Sequence, residues 1–266
     1  MTPDSAILRG RHAIVTGAGS GIGAAIARAL ARLGANTTLI GRRIDPLNAL
    51  RLELERTAAG RPIARAADVT DAELVGRTIR DACAVQGDPF VLVNNAGATF
   101  SASFLETSDD DWRAMLDVNV MGAVFCTRAA LPFMRERREG RIINMASTAA
   151  VEGYPYVAAY VAAKHALLGL TRSLAHESAR DGITVNALCP AYTNTEMLGV
   201  AARRTAARTG RTEEDVRAKY AAANTGKRLI EPHEVARVAA WLCAPEQHDV
   251  TGRAIVIDGA ADPFTR

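Results

Sequence analysis

Tyr160 precedes Lys164 by four residues, and Ser147 stands thirteen residues before the tyrosine. Positions i and i+4 share one face of a helix, so the phenol and the ammonium can occupy one pocket. Two unit charges about 4 Å apart interact by about 4 kcal/mol at an effective dielectric near 20. At about 1.36 kcal/mol per pKa unit, such a lysine would favour phenolate by up to roughly three units. A tyrosine tuned in this way can give and take a proton near neutral pH.

A proton alone does not make a reaction, and the N-terminal stretch offers a partner for it. Ile14-Val15-Thr16-Gly17-Ala18-Gly19-Ser20-Gly21-Ile22-Gly23 is followed by the alanine-rich run from Ala24 to Leu30. The apolar residues read as a buried strand, the glycines as a tight turn and the alanines as a helix. Glycines let the backbone approach a pyrophosphate, and the helix N-terminus supplies free N–H groups and a positive dipole end. The spacing reads as Gly17-x-x-x-Gly21-x-Gly23 or as Gly19-x-Gly21-x-x-Ala24, and both predict dinucleotide binding.

With these two motifs the chain resembles the short-chain dehydrogenase/reductase family, in its branch of roughly 250-residue reductases. The resemblance runs from about Gly10 to Asp258 and rests on five motifs in order. They are Thr16-Gly17…Gly21-x-Gly23, Asp68-Val69, Asn94-Asn95-Ala96-Gly97, Ser147…Tyr160-x-x-x-Lys164 and Pro190…Thr195. Asn119 falls where the family places a fourth catalytic residue. The resemblance implies that Tyr160 exchanges the proton, Ser147 bonds the same substrate oxygen, and Lys164 lowers the tyrosine pKa while holding the nicotinamide ribose. Asn119 would anchor a water linking Lys164 to solvent. It also implies that Gly17, Gly19, Ser20, Gly21, Ile22 and Gly23 line the pyrophosphate, and that Asp68 and Val69 contact adenine. Asn95, Ala96 and Gly97 would line the cleft, and Pro190, Thr193 and Thr195 would reach the nicotinamide amide and pyrophosphate. Ala191 replaces the glycine that usually follows the proline. No metal is needed.

The choice of nicotinamide cofactor turns on the end of the second strand. An acidic residue there accepts hydrogen bonds from ribose hydroxyls in NAD sites. Here the chain reads Gly41-Arg42-Arg43. A guanidinium can clamp a 2′-phosphate bidentately, which favours NADP over NAD. Ser20 stands where many NADP-dependent relatives carry a further basic residue.

The positioning elements follow from alternation. Apolar runs at 13–16, 37–40, 63–66, 91–94, 141–145, 184–189 and 254–257 alternate with helical patterns, which predicts an α/β fold with a doubly wound parallel sheet of about seven strands and helices on both faces. Residues 1–266 read as one Rossmann-type domain. The helix after Pro155 carries a small-residue face of Ala158, Ala159, Ala162, Ala163, Ala166, Leu167 and Leu170. Family resemblance pairs that face with a second copy, together with Leu131-Pro132-Phe133-Met134, and implies a homotetramer.

In the family, the segment at about 196–225 covers the substrate; here it is long enough for a two-helix lid. Its first half carries Arg203, Arg204, Arg208 and Arg211 with no acid in that run, either a solvated face or a dock for coenzyme A or an acyl carrier protein. The second reading would make the substrate a 3-oxoacyl or 3-hydroxyacyl thioester. Tyr154, Tyr192, Met197 and Phe100 are expected pocket walls.

Bulk properties exclude other classes. The chain has 266 residues, 48% hydrophobic, with a net charge of +3 from dispersed basic residues, which argues against nucleic acid. Cys83, Cys126, Cys189 and Cys243 lie far apart and suggest neither disulfides nor zinc. No unbroken apolar run nears the ~20 residues of a membrane span, and Met1-Thr2-Pro3-Asp4 lacks a signal-peptide pattern, so the cytoplasm is the default compartment. His12, His165, His176, His233 and His248 read as structural or surface residues. Ser147 lacks the flanking glycines of a hydrolase elbow. The alternatives to a secondary-alcohol dehydrogenase or ketoreductase are a nucleotide sensor without activity, an epimerase or dehydratase, and a reductase of a small or steroid-like ketone.

Overall fold

All seven expected strands form, each within two residues of its expected bounds. They are β1 (His12–Thr16), β2 (Asn36–Gly41), β3 (Ile63–Ala66), β4 (Pro89–Asn94), β5 (Gly140–Met145), β6 (Ile183–Pro190) and β7 (Ala254–Ile257). The computed structural model describes residues 6–260. The Met1-Thr2-Pro3-Asp4 stretch lies outside the described residues. The sheet is parallel throughout, in the order β3-β2-β1-β4-β5-β6-β7. Strand order reverses between β1 and β4, and a crevice opens outside the carboxyl ends of strands at such a point.

Period-two alternation divides the core. Ala13, Val15, Val91, Val93, Ile143 and Met145 face helices α1 (Gly21–Arg32), α2 (Ile44–Thr57) and α9 (Pro232–Leu242). Ile14, Ile40, Leu92, Ile142 and Val185 face α3 (Ala72–Gln86), α5 (Gly122–Arg137) and α6 (Ala158–Ser178). Both faces are covered, which is why the central strands are buried end to end rather than alternating with polar residues. Each fully buried leucine, such as Leu30 or Leu92, contributes about 1.5–3 kcal/mol by leaving water.

Helix α4 (Asp109–Leu116) runs into α5 through a π-helical turn, Asp117–Met121. The resulting rod, Asp109–Arg137, is long and apolar enough to match a membrane span, although the sequence shows no unbroken apolar run. Its inner side packs on α3 and β4, as the core helix of a sheet protein would. Met134 is fully buried in that packing, so it is a core residue and not part of the outer face expected to meet a second copy. On α6 the expected small-residue face is likewise split: Ala159, Ala163 and Leu167 are buried, while Ala162 and Ala166 are exposed. Beyond β6 the chain forms α7 (Glu196–Thr209) and α8 (Glu213–Ala223), the two helices anticipated at 196–225.

Candidate active site

The glycine loop sits at the strand reversal and is built by close approach. A Cβ on Gly23 would lie 2.3 Å from the Gly17 carbonyl oxygen and 2.4 Å from Asn95 Nδ2. Gly17 and Gly21 adopt positive φ, where a side chain is strained. Asn95 holds this loop from the next strand. Its Nδ2 donates to the carbonyls of Thr16 (2.9 Å) and Gly17 (3.2 Å), and the N–H groups of Asn95 and Ala96 both donate to Thr16 Oγ1. The sequence motif includes Thr16 without implying this part.

Ser20 is the N-cap of α1, yet its side chain caps no backbone N–H, and the first turn contains no acid. Helices α3, α4 and α8 are capped by Asp71, Ser108 and Thr212. An uncapped N-terminus beside a glycine cradle fits the pyrophosphate of a dinucleotide, since its donors and positive dipole end remain available.

At the end of β2, Arg42 and Arg43 are both exposed. The Arg43 guanidinium lies 3.8 Å from a Glu196 carboxylate oxygen at the start of α7. Asp68 is held below the usual carboxylate range, first by the Thr70 backbone N–H and also by the nearby charge of Arg42. Its Oδ1 accepts from both the N–H and the hydroxyl of Thr70, so this carboxylate caps a turn as well as facing the cleft. Val69 is buried and packs against the start of α5, where a Cβ on Gly122 would lie 2.8 Å from its Cγ2.

The four catalytic candidates converge at the carboxyl ends of β4, β5 and β6. Tyr160 is hydrogen-bonded to Ser147. Ser147 Oγ also accepts from the Ala149 N–H at 3.1 Å, which fixes its rotamer at the end of β5. Lys164, one turn along α6, is buried; its Nζ donates to the Met145 carbonyl at 2.8 Å and lies 5.5 Å from the centre of the Tyr160 ring. Asn119 sits on the π-helical turn, a widening common at functional sites. Its Nδ2 donates to the carbonyls of Met115 and Ala98, both at 3.0 Å. A Cβ on Gly97 would meet Asn119 Oδ1 at 2.7 Å and Lys164 Nζ at 3.6 Å, so the two side chains share one small space under the cleft.

Electrostatically, the site differs from the sequence expectation. Burial pushes the Tyr160 phenol up, with the Ser147 bond pulling it partly down. Lys164 is itself pushed down to about 8 by burial. The ammonium is turned to the Met145 carbonyl rather than to the phenol oxygen, so it does not produce the expected downward shift. The arrangement keeps the phenol protonated at neutral pH, which is the state of a proton donor.

Thr193 is buried and gives its hydroxyl to the Ala191 carbonyl at 2.9 Å. Thr195 caps α7 by accepting from the Leu198 N–H at 3.2 Å, with its methyl group toward Gly21. Pro190 ends β6 beside them. Both threonine hydroxyls therefore hold the loop that covers the crevice.

Of the expected pocket walls, Phe100 clusters with Tyr160, Trp112 and Met115, and Tyr154 meets Tyr192 edge to face at 6.4 Å. Met197 is exposed on α7. The arginine run is not free of acids: Arg203 lies 3.6 Å from Glu213, and Arg208 donates to the Ser101 carbonyl at 3.0 Å. Folding α8 back on α7 brings the acid in, which the linear sequence does not show.

Two supports use partners that the motifs do not name. Asn94 donates to Thr127 (3.0 Å) and to Asn144 (2.8 Å), and Asn144 donates to Thr171 (2.9 Å), all of them buried. This network ties β4, β5, α5 and α6 together directly beneath Met145 and Lys164. Asn224, also buried, grips the peptide groups on either side of Tyr192. An asparagine inside an otherwise apolar strand was the available signal for Asn144; Asn224 offered none.

Known proteins share this plan. A family model described as short chain dehydrogenase matches residues 11–206. The oxidoreductase UcpA of Escherichia coli (strain K12) is 40% identical over 261 residues, covering 96% of this chain and 95% of the relative. D-beta-hydroxybutyrate dehydrogenase of Rhizobium meliloti (strain 1021) is 35% identical over 255 residues, covering 94% and 97%. The crystal structure of a variant of actinorhodin polyketide ketoreductase with NADPH matches with a TM-score of 0.90 at 33% identity, covering 96% of this chain and 98% of that one.

Proposed function

We propose that this chain, which belongs to the short-chain dehydrogenase/reductase family, interconverts a secondary alcohol and a ketone with Tyr160 as the general acid and base. The observation that carries the reading is the Tyr160–Ser147 pair standing over buried Lys164, beside a glycine cradle and an uncapped helix N-terminus. Gly17, Gly21, Gly23 and the first turn of α1 would hold the pyrophosphate, and Arg42 and Arg43 the ribose end. A bound nicotinamide supplies the hydride that no amino-acid side chain can.

The protein's own part is the proton and the charge that develops with it. In reduction, Tyr160 donates its proton to the carbonyl oxygen while Ser147 holds that oxygen in place. Lys164, pushed down to about 8 by burial, stands 5.5 Å from the centre of the phenol ring, where its charge would compensate the phenolate that remains. Asn119, sharing its space with the ammonium, would position a water through which the proton is replaced. In oxidation the same groups run in reverse.

The arginines at the end of β2 and the NADPH-bound relative favour NADP over NAD. Apart from Ser147 and Lys164, the groups clustered with Tyr160 are apolar, which supports a substrate whose reacting end is apolar or mixed. Helices α7 and α8 would act as the lid, and the exposed outer faces of the Asp109–Arg137 rod and α6 would meet further copies in a homotetramer. The test is turnover of a panel of free and thioester ketones with each reduced cofactor, read by loss of nicotinamide absorbance. A chain that binds NADPH but reduces nothing, while Tyr160→Phe behaves identically, would be a sensor and not an enzyme.

A further inference from the structure

Three tyrosines from separate parts of the chain meet beside the turn that follows Ser147. Tyr220 on α8 stacks flat on Tyr192, with ring centres 4.5 Å apart and planes 8° from parallel. Tyr192 in turn meets Tyr154 edge to face at 6.4 Å. Tyr154 is fixed at its hydroxyl, which donates to a Glu152 carboxylate oxygen and lies within hydrogen-bond distance of Thr148 Oγ1 on the turn after Ser147, both at 3.0 Å. Tyr220 is fixed by a 3.1 Å hydrogen bond between its hydroxyl and Thr205 on α7.

The Tyr192 backbone is immobilised as well. Its N–H donates to Asn224 Oδ1 at 3.0 Å, and its carbonyl accepts from Asn224 Nδ2 at 2.9 Å and from the Ile230 N–H at 2.9 Å. Asn224 follows directly on α8. One helix therefore grips Tyr192 twice, by ring and by backbone. Through Tyr154 and Thr148 the stack is joined to the turn that follows Ser147, the hydroxyl paired with Tyr160. A stacked aromatic pair contributes about 0.5–1.5 kcal/mol beyond burial, enough to hold one ring position over the alternatives.

We propose that Tyr220 is a specificity-determining residue: braced against Tyr192, it holds that ring at a fixed distance from Tyr160 and so limits the size of the ketone substituent that lies toward α8. The inference rests on the ketoreductase reading above and adds to it a size limit set from the lid. Tyr220 need not touch the reacting atoms; it acts by positioning Tyr192. Slender ketones pass, and those whose chain ends in a bulky group are excluded.

The experiment compares kcat/KM for ethyl methyl ketone and benzylacetone with NADPH, in wild type, Tyr220→Ala, Tyr220→Leu and Tyr220→Phe. Apolar pocket changes alter discrimination by about 10–200-fold. Tyr220→Ala should raise the benzylacetone to ethyl methyl ketone ratio at least tenfold, mainly through KM, with Tyr220→Leu intermediate. Tyr220→Phe keeps the stacked ring and should keep the wild-type ratio. If Tyr220→Ala fails to fold, the contrast between Leu and Phe decides the matter. A ratio unchanged in Tyr220→Ala and Tyr220→Leu, or shifted as far by Phe as by Leu, overturns the proposal while leaving the ketoreductase intact. Wild-type protein inert toward both ketones and toward the wider panel overturns the ketoreductase reading and this inference with it.

Discussion

The two ends of the parallel sheet bury similar chemistry in different surroundings. At the carboxyl ends, Lys164 and Asn119 are buried under a cleft whose rim carries Ser147 and Tyr160. At the amino ends, His12 and Arg141 are buried just as deeply. His12 is bonded at both nitrogens, Nδ1 to the Gly87 carbonyl (2.7 Å) and Nε2 to Thr38 Oγ1 (2.8 Å). Arg141 lies over the Phe90 ring at 5.2 Å, with Arg11 on the same ring at 4.0 Å. Burial moves a pKa at both ends, His12 to about 4 and Lys164 to about 8. Only the second value falls near a working pH beside a donor that faces the cleft. A displaced pKa alone therefore does not mark a catalytic site.

Removing the phenol oxygen is the largest way to test that distinction. General acid–base groups contribute about 10²–10⁴-fold to rate, so Tyr160→Phe should lower kcat by that range. NADPH affinity, followed by fluorescence titration, should stay near wild type. His12→Gln, at the other end, should leave kcat within twofold. A comparable loss of kcat in both variants would break the comparison.

The sequence made the carboxyl end legible because its residues come as motifs with fixed spacing. Alternation of apolar and helical runs marks every strand, and Gly17, Gly21 and Gly23 mark the turn. What it could not show depends on folding across distance. Glu213 reaches Arg203 only because α8 folds back on α7. Lys164 turns to the Met145 carbonyl rather than to the phenol because β5 ends beneath it. The grip of Asn224 on Tyr192 joins residues 32 apart, and nothing local to either one announces it. The π-helical turn under Asn119 is equally silent, since Asp117-Val118-Asn119-Val120 reads as ordinary helix.

The buried histidine gives the next effect. His12 has a folded pKa of about 4, below its usual 6.5, so the native state favours the neutral ring. Its contribution is complete above about pH 6.5 and is lost as pH falls through 4, because the unfolded chain takes the proton more readily. At about 1.36 kcal/mol per unit the full loss is about 3 kcal/mol. Urea melts between pH 7 and pH 4 should show this fall, and His12→Gln should flatten it. An unchanged slope in the variant would assign the acid sensitivity to carboxylates instead.

Two glycines offer a smaller contrast between the ends. Gly23→Ala would push a methyl against the Gly17 carbonyl and Asn95 in the cradle. Overpacking of this kind costs about 1–3 kcal/mol, and here it should appear as NADPH affinity weakened by roughly 5–150-fold. Gly87 has φ +83 with nothing within 4 Å of a Cβ. With ψ 178 as well, Gly87 lies in an extended region open essentially to glycine alone, so Gly87→Ala should cost about 1–3 kcal/mol in stability from backbone strain alone, with cofactor affinity unchanged. Isothermal titration and melts on both variants separate the outcomes.

The smallest effect concerns what Arg43 is bound to. Glu196 stands 3.8 Å from its guanidinium, and both side chains are mostly exposed. An exposed pair of this kind is worth about 0.2–1 kcal/mol, so it offers only a mild competitor to a 2′-phosphate. Glu196→Gln removes that competitor and a negative charge from the ribose end of the cleft. NADPH should then bind roughly two- to fivefold more tightly, with NADH unchanged, and the gain should shrink as salt screens the pair. Equal tightening of both cofactors would mean that Glu196 acts on the pyrophosphate they share. Loss of affinity for NADPH alone would mean that the carboxylate orients Arg43 for the phosphate instead of competing with it. The sign of this modest shift therefore decides whether the lid and the cofactor contend for one arginine or hold it in common.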